Sequence, residues 1–488
     1  MGTDMFNKDN LRKTIVLIVF FAAFILLFSI PAKGCFSIVV GKDASADGFV
    51  LVAHNEDDSP PQIVNHHKIP RKRLPTSIEQ PSEKTLTIYE YSWAYIWSEM
   101  PGVDYSDSFL NEWGVVVTSN NCPSKEDKPQ ISDGGIGKML RRLIAQQANT
   151  AREAVILAGN LVEQFGYLDS GRTYIIADPN EGWLFCVVNG KHWLAQRVPD
   201  DQVAMVANTY TIRDVNLTDK QNFLACGDII DYAIGRQWFN PQKDGKFDFA
   251  LSYANPKDAE SPVNYGRQWA GLSHICKDKI QIGPNLPFSV KPKEKIDVPK
   301  LMEILRFDNI QAKPELMQQC SEEEKGSCII CRGNTQTAFV AQLRNDVPRD
   351  IGIVYWLCLS QPGGSCFIPF HFGIDDFPAG YKGKSQRPTK EFFDSSLKCD
   401  FKADATEAFW TFANFSNKIY AASSQKSGKA EDAFREIEKE ALSLQELVEK
   451  TALKYYEKDR SASMQLLANY SKGLFVSALE EMDSALKD

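Results

Sequence analysis

Apolar and polar positions divide the chain into three stretches. Ile15 to Ile30 is an unbroken apolar run except for Ser29, and Lys8, Arg12 and Lys13 precede it. From Phe36 to Phe372, short apolar runs rich in β-branched residues alternate with polar turns, the signature of half-buried and fully buried strands. Phe36–Val40 and Phe49–Ala53, joined by a polar loop with Asp47-Gly48, read as a hairpin. Further strands are expected at 115–119, 173–177, 184–188, 193–195, 203–207, 337–343, 352–359 and 367–372. Between them, Leu140, Leu143 and Ile144, then Ala154, Leu157 and Leu161, recur at helical spacing. Beyond Glu431, Phe434, Ile437, Ala441, Leu444 and Val448 follow a 3-4-3-4 pattern, so two amphipathic helices broken near 459–461 are expected, packed on the protein's own core. The order is mixed α and β, without a dinucleotide fingerprint, a P-loop or a 20 to 50 residue repeat.

The leading stretch has the form of an export signal: basic residues, an apolar core, then Ala32-Lys33-Gly34 with small residues at the two positions a signal peptidase reads. Residues 1–34 are therefore expected to be a signal peptide or propeptide, with export to a periplasmic, extracellular or lumenal space. Cleavage would leave Cys35 first, take the net charge from −8 to −10, and end any stable membrane association. Retention as a membrane anchor and acylation of Cys35 as a lipoprotein are the competing readings. The composition of the whole 488-residue chain, 43% apolar and 24% charged, specifies a large folded protein, expected as one domain over 35–395 with a helical C-terminal region over 396–488. Net negative charge offers no footprint for a phosphate backbone, so nucleic acid is excluded as a partner; homo-oligomerisation is left open. Of eleven Cys, those at 320, 328 and 331 cluster without a nearby His, which favours a disulfide or buried thiols over zinc.

Antiparallel pairing in the first hairpin lays Cys35 beside His54-Asn55-Glu56-Asp57-Asp58. The runs 115–119 and 203–207 similarly lead into Asn120-Asn121 and Asn208. A thiol with free pKa of ~8.5 is a weak nucleophile until deprotonated, and a newly exposed α-amine, with a pKa of about 7.7 to 8.0, is a base carried by the same residue. Acyl transfer also needs donors at the developing oxyanion, which amides of Asn121 and Asn208 could supply, while Asp57 could orient the protonated amine.

These residues resemble the N-terminal nucleophile hydrolases, and within them the cysteine dipeptidases of peptidase family C69. The resemblance is carried by Cys35, by Val40-Gly41-Lys42-Asp43-Ala44-Ser45-Ala46-Asp47-Gly48 and by His54-Asn55-Glu56-Asp57, with further matches at Asn111-Glu112-Trp113-Gly114-Val115 and Trp193-Leu194-Ala195-Gln196-Arg197-Val198 and weaker similarity through Thr335-Gln336, Gln342-Leu343-Arg344 and Trp356 to Pro369. It implies an α+β fold, a four-layer αββα sandwich, and an enzyme that cuts peptide bonds. It implies Cys35 as nucleophile, Asp57 as the amine-binding carboxylate, Asn121 and Asn208 as oxyanion or backbone-holding amides, and Arg267 as a residue lining the site. The scheme needs no metal or organic cofactor; the partner is a dipeptide or other small amide, for whose amine Glu56, Asp58 and Glu112 are candidate partners.

Three positions depart from the family pattern. His54 stands where Arg is usual, replacing a permanent charge by one that depends on pH; Phe36 replaces a Thr, and Trp113 a His. A larger apolar pocket lined by Phe36 and Trp113 would favour N-acyl amino acids, penicillin-type amides or bile-acid conjugates over dipeptides. From a different class, the chain could be an inactive membrane-anchored binding or scaffold protein.

Overall fold

In the computed structural model, described for residues 34–58, 64–73, 77–79, 85–87, 91–100, 106–137, 139–382, 406–421 and 424–487, the β-branched runs on either side of Asp47-Gly48 do pair. The expected leader lies outside the described residues apart from Gly34, as do the 395/396 boundary and Cys399. Five strands carry the candidate site: β1 (Phe36–Val40), β2 (Leu51–Asp57), β3 (Val116–Asn121), β4 (Val203–Val206) and β5 (Thr335–Leu343). A seven-stranded antiparallel sheet has the order 289–290, β4, β1, β2, β5, 353–359, 367–371. An eight-stranded sheet has the order 223–225, 193–197, 182–190, 167–177, β3, 106–111, 95–99, 65–69.

The two sheets pack face to face, β1 lying against β3 and the strands 167–177 and 182–190. Helices α1 (Met139–Gln147) and α2 (Ala151–Phe165) cover the outer face of the eight-stranded sheet. On the other side α3 (Pro262–Ile275) packs on β4, and α4 (Val298–Leu305) on β2 and β5. The result is an α+β sandwich of four layers, αββα. Because each sheet is covered on both faces, β1 and β2 are buried at every position. The Thr150-Ala151-Arg152-Glu153 sequence starts α2 for a local reason: Thr150 accepts from the Glu153 amide, and Glu153 returns a bond to the Asn149 amide. Gly159 lets α2 touch its sheet, since a Cβ there would lie 2.2 Å from the Trp193 ring.

The strand after the hairpin turn is later and longer than the apolar run suggests. It begins at Leu51 and continues through His54, Asn55, Glu56 and Asp57. β3 likewise runs through Asn120 and Asn121 instead of stopping before them. In both cases ladder bonds and side-chain partners hold polar residues that favour turns in isolation. The strands 65–69, 95–99 and 106–111 have no clear apolar alternation and escape the sequence reading. Cys320 and Cys328 form a disulfide, and Cys331 is a buried thiol raised by burial.

The C-terminal region forms α5 (Ala408–Ala421), α6 (Ser424–Tyr456) and α7 (Arg460–Lys487). α5 packs on 353–359, and α6 and α7 on 367–371. Phe434, Ile437 and Ala441 face inward as their spacing predicts, but Leu444 is exposed and Gln445 and Glu449 are buried in its place. The reason is a polar network. Glu449 accepts from Arg344 Nη2 and Nη1 at 2.6 and 2.8 Å, from Gln445 at 2.8 Å, and lies 3.0 Å from His371 Nε2. Burial alone would raise the Glu449 carboxyl, but His371 and Arg344 outweigh it and hold it at about 2.

Between its ordinary value of 4.5 and about 2 this carboxyl binds fewer protons folded than unfolded, so its contribution is complete above that window and fades as pH falls through it. Glu449→Gln should therefore cost about 3 kcal/mol of unfolding free energy at neutral pH, and the gap to the parent should narrow across the window. Urea unfolding at a series of pH values measures this; a gap that stays constant there contradicts it.

Candidate active site

Register builds the site. Phe36 pairs with Asn55 and Ser37 with His54, which brings the residue before β1, Cys35, to the end of β2. Alternation then sorts the side chains. His54 and Glu56 point with Ser37 toward the eight-stranded sheet, and Asn55 and Asp57 point toward the helices.

On the inner face a chain of hydrogen bonds ends at the thiol. Asn120 Nδ2 donates to the Val206 carbonyl at 3.2 Å, and its Oδ1 accepts from Ser37 Oγ at 2.6 Å. Ser37 Oγ is 2.8 Å from His54 Nδ1. The Ser37 proton is committed to Asn120, so Nδ1 carries the proton and donates to Ser37. His54 Nε2 then faces Glu56 Oε2 at 3.1 Å, and the same oxygen is 3.4 Å from Cys35 Sγ. The sulfur also lies 3.8 Å from the Asp57 carbonyl, and Cys35 is buried.

On the outer face three charges are buried together. Asp57 Oδ1 accepts from Thr335 Oγ1 at 2.6 Å. Its Oδ2 accepts no hydrogen bond and lies 3.8 Å from Arg267 Nη1 and 3.7 Å from Arg332 Nη1. A bulge in the β2–β5 ladder makes this possible: Thr335 pairs with Asp57 but Thr337 with Glu56, so the extra residue Gln336 re-aims Thr335 at the carboxylate. Burial raises the Asp57 carboxyl above its ordinary range, against the pull of Arg332, Arg267 and Thr335. Burial, with Arg332 beside it, lowers Arg267 to about 9, against the pull of Asp57. Arg267 is thus still charged at neutral pH, with the Asp57 carboxylate offsetting part of the cost of burying it.

The two guanidiniums converge on the peptide before Cys35. Arg267 Nη1 donates to the Gly34 carbonyl at 2.6 Å and to the Cys35 carbonyl at 3.3 Å; Arg332 Nη1 reaches the Gly34 carbonyl at 3.4 Å. Space is closed around Gly34: a Cβ there would meet Arg332 Nη1 at 2.6 Å, Asn208 Oδ1 at 2.7 Å and Arg267 Nη2 at 2.9 Å. Asn208 Oδ1 accepts from Arg267 Nη2 at 2.5 Å, and its Nδ2 donates to the Asn121 carbonyl at 2.8 Å. Asn55 ties the hairpin to its surroundings through the Leu305 and Ile330 carbonyls, at 3.0 and 3.1 Å.

Cys35, His54, Glu56, Asp57, Arg267 and Asn208 thus come together. Asn121 joins through its backbone; its side chain accepts from Ser170. Asp58 is buried at the end of β2, its backbone paired with Asn334. Glu112 does not join. It sits in the turn before β3, at the opposite end of that strand from Asn121, and is held by Arg71 at 2.8 and 2.9 Å and by the Ala94 amide at 2.9 Å. Nor do Phe36 and Trp113 share a pocket. Phe36 faces Gly271 on α3, whereas Trp113 packs edge-on to Trp93 and under the Arg349 guanidinium. Sequence reading missed Arg332, Thr335, Ser37 and Asn120. Asn120 carried a signal as an amide at the end of an apolar run, and Thr335 as part of a weak motif match; Arg332 precedes a strand far along the chain and has no periodic mark.

The sequence profile of peptidase family C69 matches residues 34–419. A "Probable dipeptidase" of Latilactobacillus sakei is 25% identical over 384 residues, covering 74% of this chain and 78% of that one. A "Probable dipeptidase" of Salmonella dublin is 25% identical over 390 residues, covering 75% and 87%. Among solved structures, penicillin V acylase from Agrobacterium tumefaciens is similar with a TM-score of 0.35 at 10% identity, covering 70% of this chain and 87% of that one. A conjugated bile acid hydrolase mutant from Clostridium perfringens has a TM-score of 0.33 at 11% identity, covering 72% and 95%.

The buried charge cluster makes a demand that stability reads directly. Asp57→Asn leaves Arg267 and Arg332 facing each other unneutralised and should cost about 3–5 kcal/mol in urea unfolding. Thr335→Val removes one hydrogen bond to a charged group and should cost about 1.5–3 kcal/mol. An Asp57→Asn protein as stable as the parent contradicts the cluster.

Proposed function

The chain belongs to peptidase family C69, whose members are peptide-bond hydrolases, and on that footing we propose that it is an exported dipeptidase whose nucleophile is Cys35, released by cleavage after Gly34. The observation that carries this reading is the grip on the Gly34 carbonyl. In the uncut chain that carbonyl is the acyl group next to the thiol, and it stands in for the carbonyl of a bound substrate. Two cationic donors at 2.6 and 3.4 Å from its oxygen are what a developing oxyanion requires.

The reaction follows from the groups present. The Cys35 thiol gives its proton to its own α-amine as sulfur attacks the substrate carbonyl carbon. A C–S bond forms, and the C–O π electrons move to an oxyanion facing Arg267 and Arg332. Collapse breaks the C–N bond, and the α-ammonium hands its proton to the leaving amine. Water, deprotonated by the same α-amine, then resolves the thioester to a carboxylic acid and restores the thiol. Asp57 Oδ2, which accepts no hydrogen bond, is an acceptor for the α-ammonium. Asn208 has its amide donor committed to the Asn121 carbonyl and positions Arg267 through its oxygen, so the oxyanion role assigned to the asparagines from sequence passes to the arginines.

The relatives named as probable dipeptidases support a dipeptide substrate. The basic residues and apolar run ahead of Cys35 support export. The separation of Phe36 from Trp113 removes the feature that would have favoured larger acyl groups.

Removing the nucleophile from such a system costs orders of magnitude. Cys35→Ala, expressed so that residue 35 is the first, should hydrolyse dipeptides at least ~1000-fold more slowly than the parent. N-acyl amino acids assayed alongside should be the poorer substrates of the parent. Undiminished hydrolysis by Cys35→Ala refutes the nucleophile, and a preference for N-acyl amino acids refutes the substrate class.

A further inference from the structure

The inner-face network has a second chemical meaning. Cys35, His54 and Glu56 each offer one donor atom, sulfur, imidazole nitrogen and carboxylate oxygen, and the three atoms lie within 4.8 Å of one another in a buried position. Two of the separations are 3.1 Å, His54 Nε2 to Glu56 Oε2, and 3.4 Å, Cys35 Sγ to Glu56 Oε2. Zinc bonds of about 2.0–2.3 Å in a tetrahedron give ligand separations of about 3.3–3.6 Å, close to the two distances found here.

The imidazole is already oriented for ligation. Its Nδ1–H donates to Ser37 Oγ, and Ser37 is fixed in turn by Asn120, so Nε2 is the nitrogen turned toward Glu56. Metal-binding histidines are held in this way, the second ring nitrogen donating to an outer partner that fixes tautomer and ring plane. An Arg at position 54 could not ligate, since a guanidinium has no lone pair to give.

We propose that Cys35, His54 and Glu56 bind a divalent cation of the zinc class, and that the bound cation holds the Cys35 sulfur as a metal thiolate and suppresses hydrolysis. The thiol proton is lost to solvent as the metal–sulfur bond forms. The α-amine of the cut chain lies on the same residue as the sulfur and can close a chelate ring as a fourth ligand; a water is the other source. Ligation stands on these distances alone, whereas suppression also rests on Cys35 being the nucleophile.

The experiment uses the processed protein, stripped with EDTA, titrated with zinc chloride and separately with cobalt chloride. The expected result is one zinc per chain, a thiolate-to-cobalt charge-transfer band, and dipeptide hydrolysis that falls with zinc and returns with EDTA. His54→Arg and Cys35→Ser should each weaken zinc binding at least about 100-fold, the upper end of what losing an outer partner costs, and Cys35→Ser should abolish the band. Absence of stoichiometric zinc, absence of the band in the parent, or zinc binding unchanged in both variants overturns the site. A metal-loaded parent that hydrolyses dipeptides at the metal-free rate overturns the suppression. A chain that shows the band yet cuts no dipeptide when metal-free supports the ligation and refutes the dipeptidase reading instead.

Discussion

A carboxylate and two guanidiniums buried side by side constrain everything around the start of the folded chain. Asp57 comes from β2, Arg267 from α3 and Arg332 from the segment leading into β5, so the carboxylate lies far along the chain from both of its partners. None could be buried alone, since an unpaired ion in the interior costs several kcal/mol. Together they draw a strand, a helix and a loop onto the Gly34–Cys35 peptide. The two guanidiniums that Asp57 neutralises present donors to a carbonyl oxygen, so the structural cluster is also the proposed oxyanion site.

β2 serves both sides of that site by alternation. Its inner residues, His54 and Glu56, connect the thiol to Ser37 and Asn120, and its outer residues, Asn55 and Asp57, tie it to α4 and the arginines. Four consecutive polar residues in a fully buried strand would be an error in a purely structural element. Here each has partners, and the bulge at Gln336 supplies the last of them. His54 is where this chain differs most in kind from the pattern it otherwise resembles. An imidazole held by Ser37 has a nitrogen lone pair to offer, which a guanidinium in the same place would not have.

Much of this was legible in the sequence, and what was not has a physical reason. β-branched runs around Asp47-Gly48 identify the hairpin, and antiparallel counting alone puts Cys35 beside residues 54–58. The family resemblance rested on the block from Val40 to Asp57, and the profile match over residues 34–419 agrees with it. Glu112 was misplaced because an acidic residue near a strand looks the same at either end, and only the fold shows which end faces Cys35. Arg332 was invisible because a single charge before a strand carries no period. In the tail, spacing placed Leu444 inward, but Arg344 and His371 on the sheet call for Gln445 and Glu449 instead. Hydrophobic patterning finds the elements, while buried polar partners decide their final rotation and length.

The most direct measurement is rapid acid quenching of the processed protein during turnover of an activated dipeptide ester, followed by mass analysis of its N-terminal peptide. The account predicts a substoichiometric acyl group on the peptide that begins with Cys35, attached to sulfur and released by neutral hydroxylamine. An acyl group on another residue, or turnover with no acylated species under any quench, contradicts it.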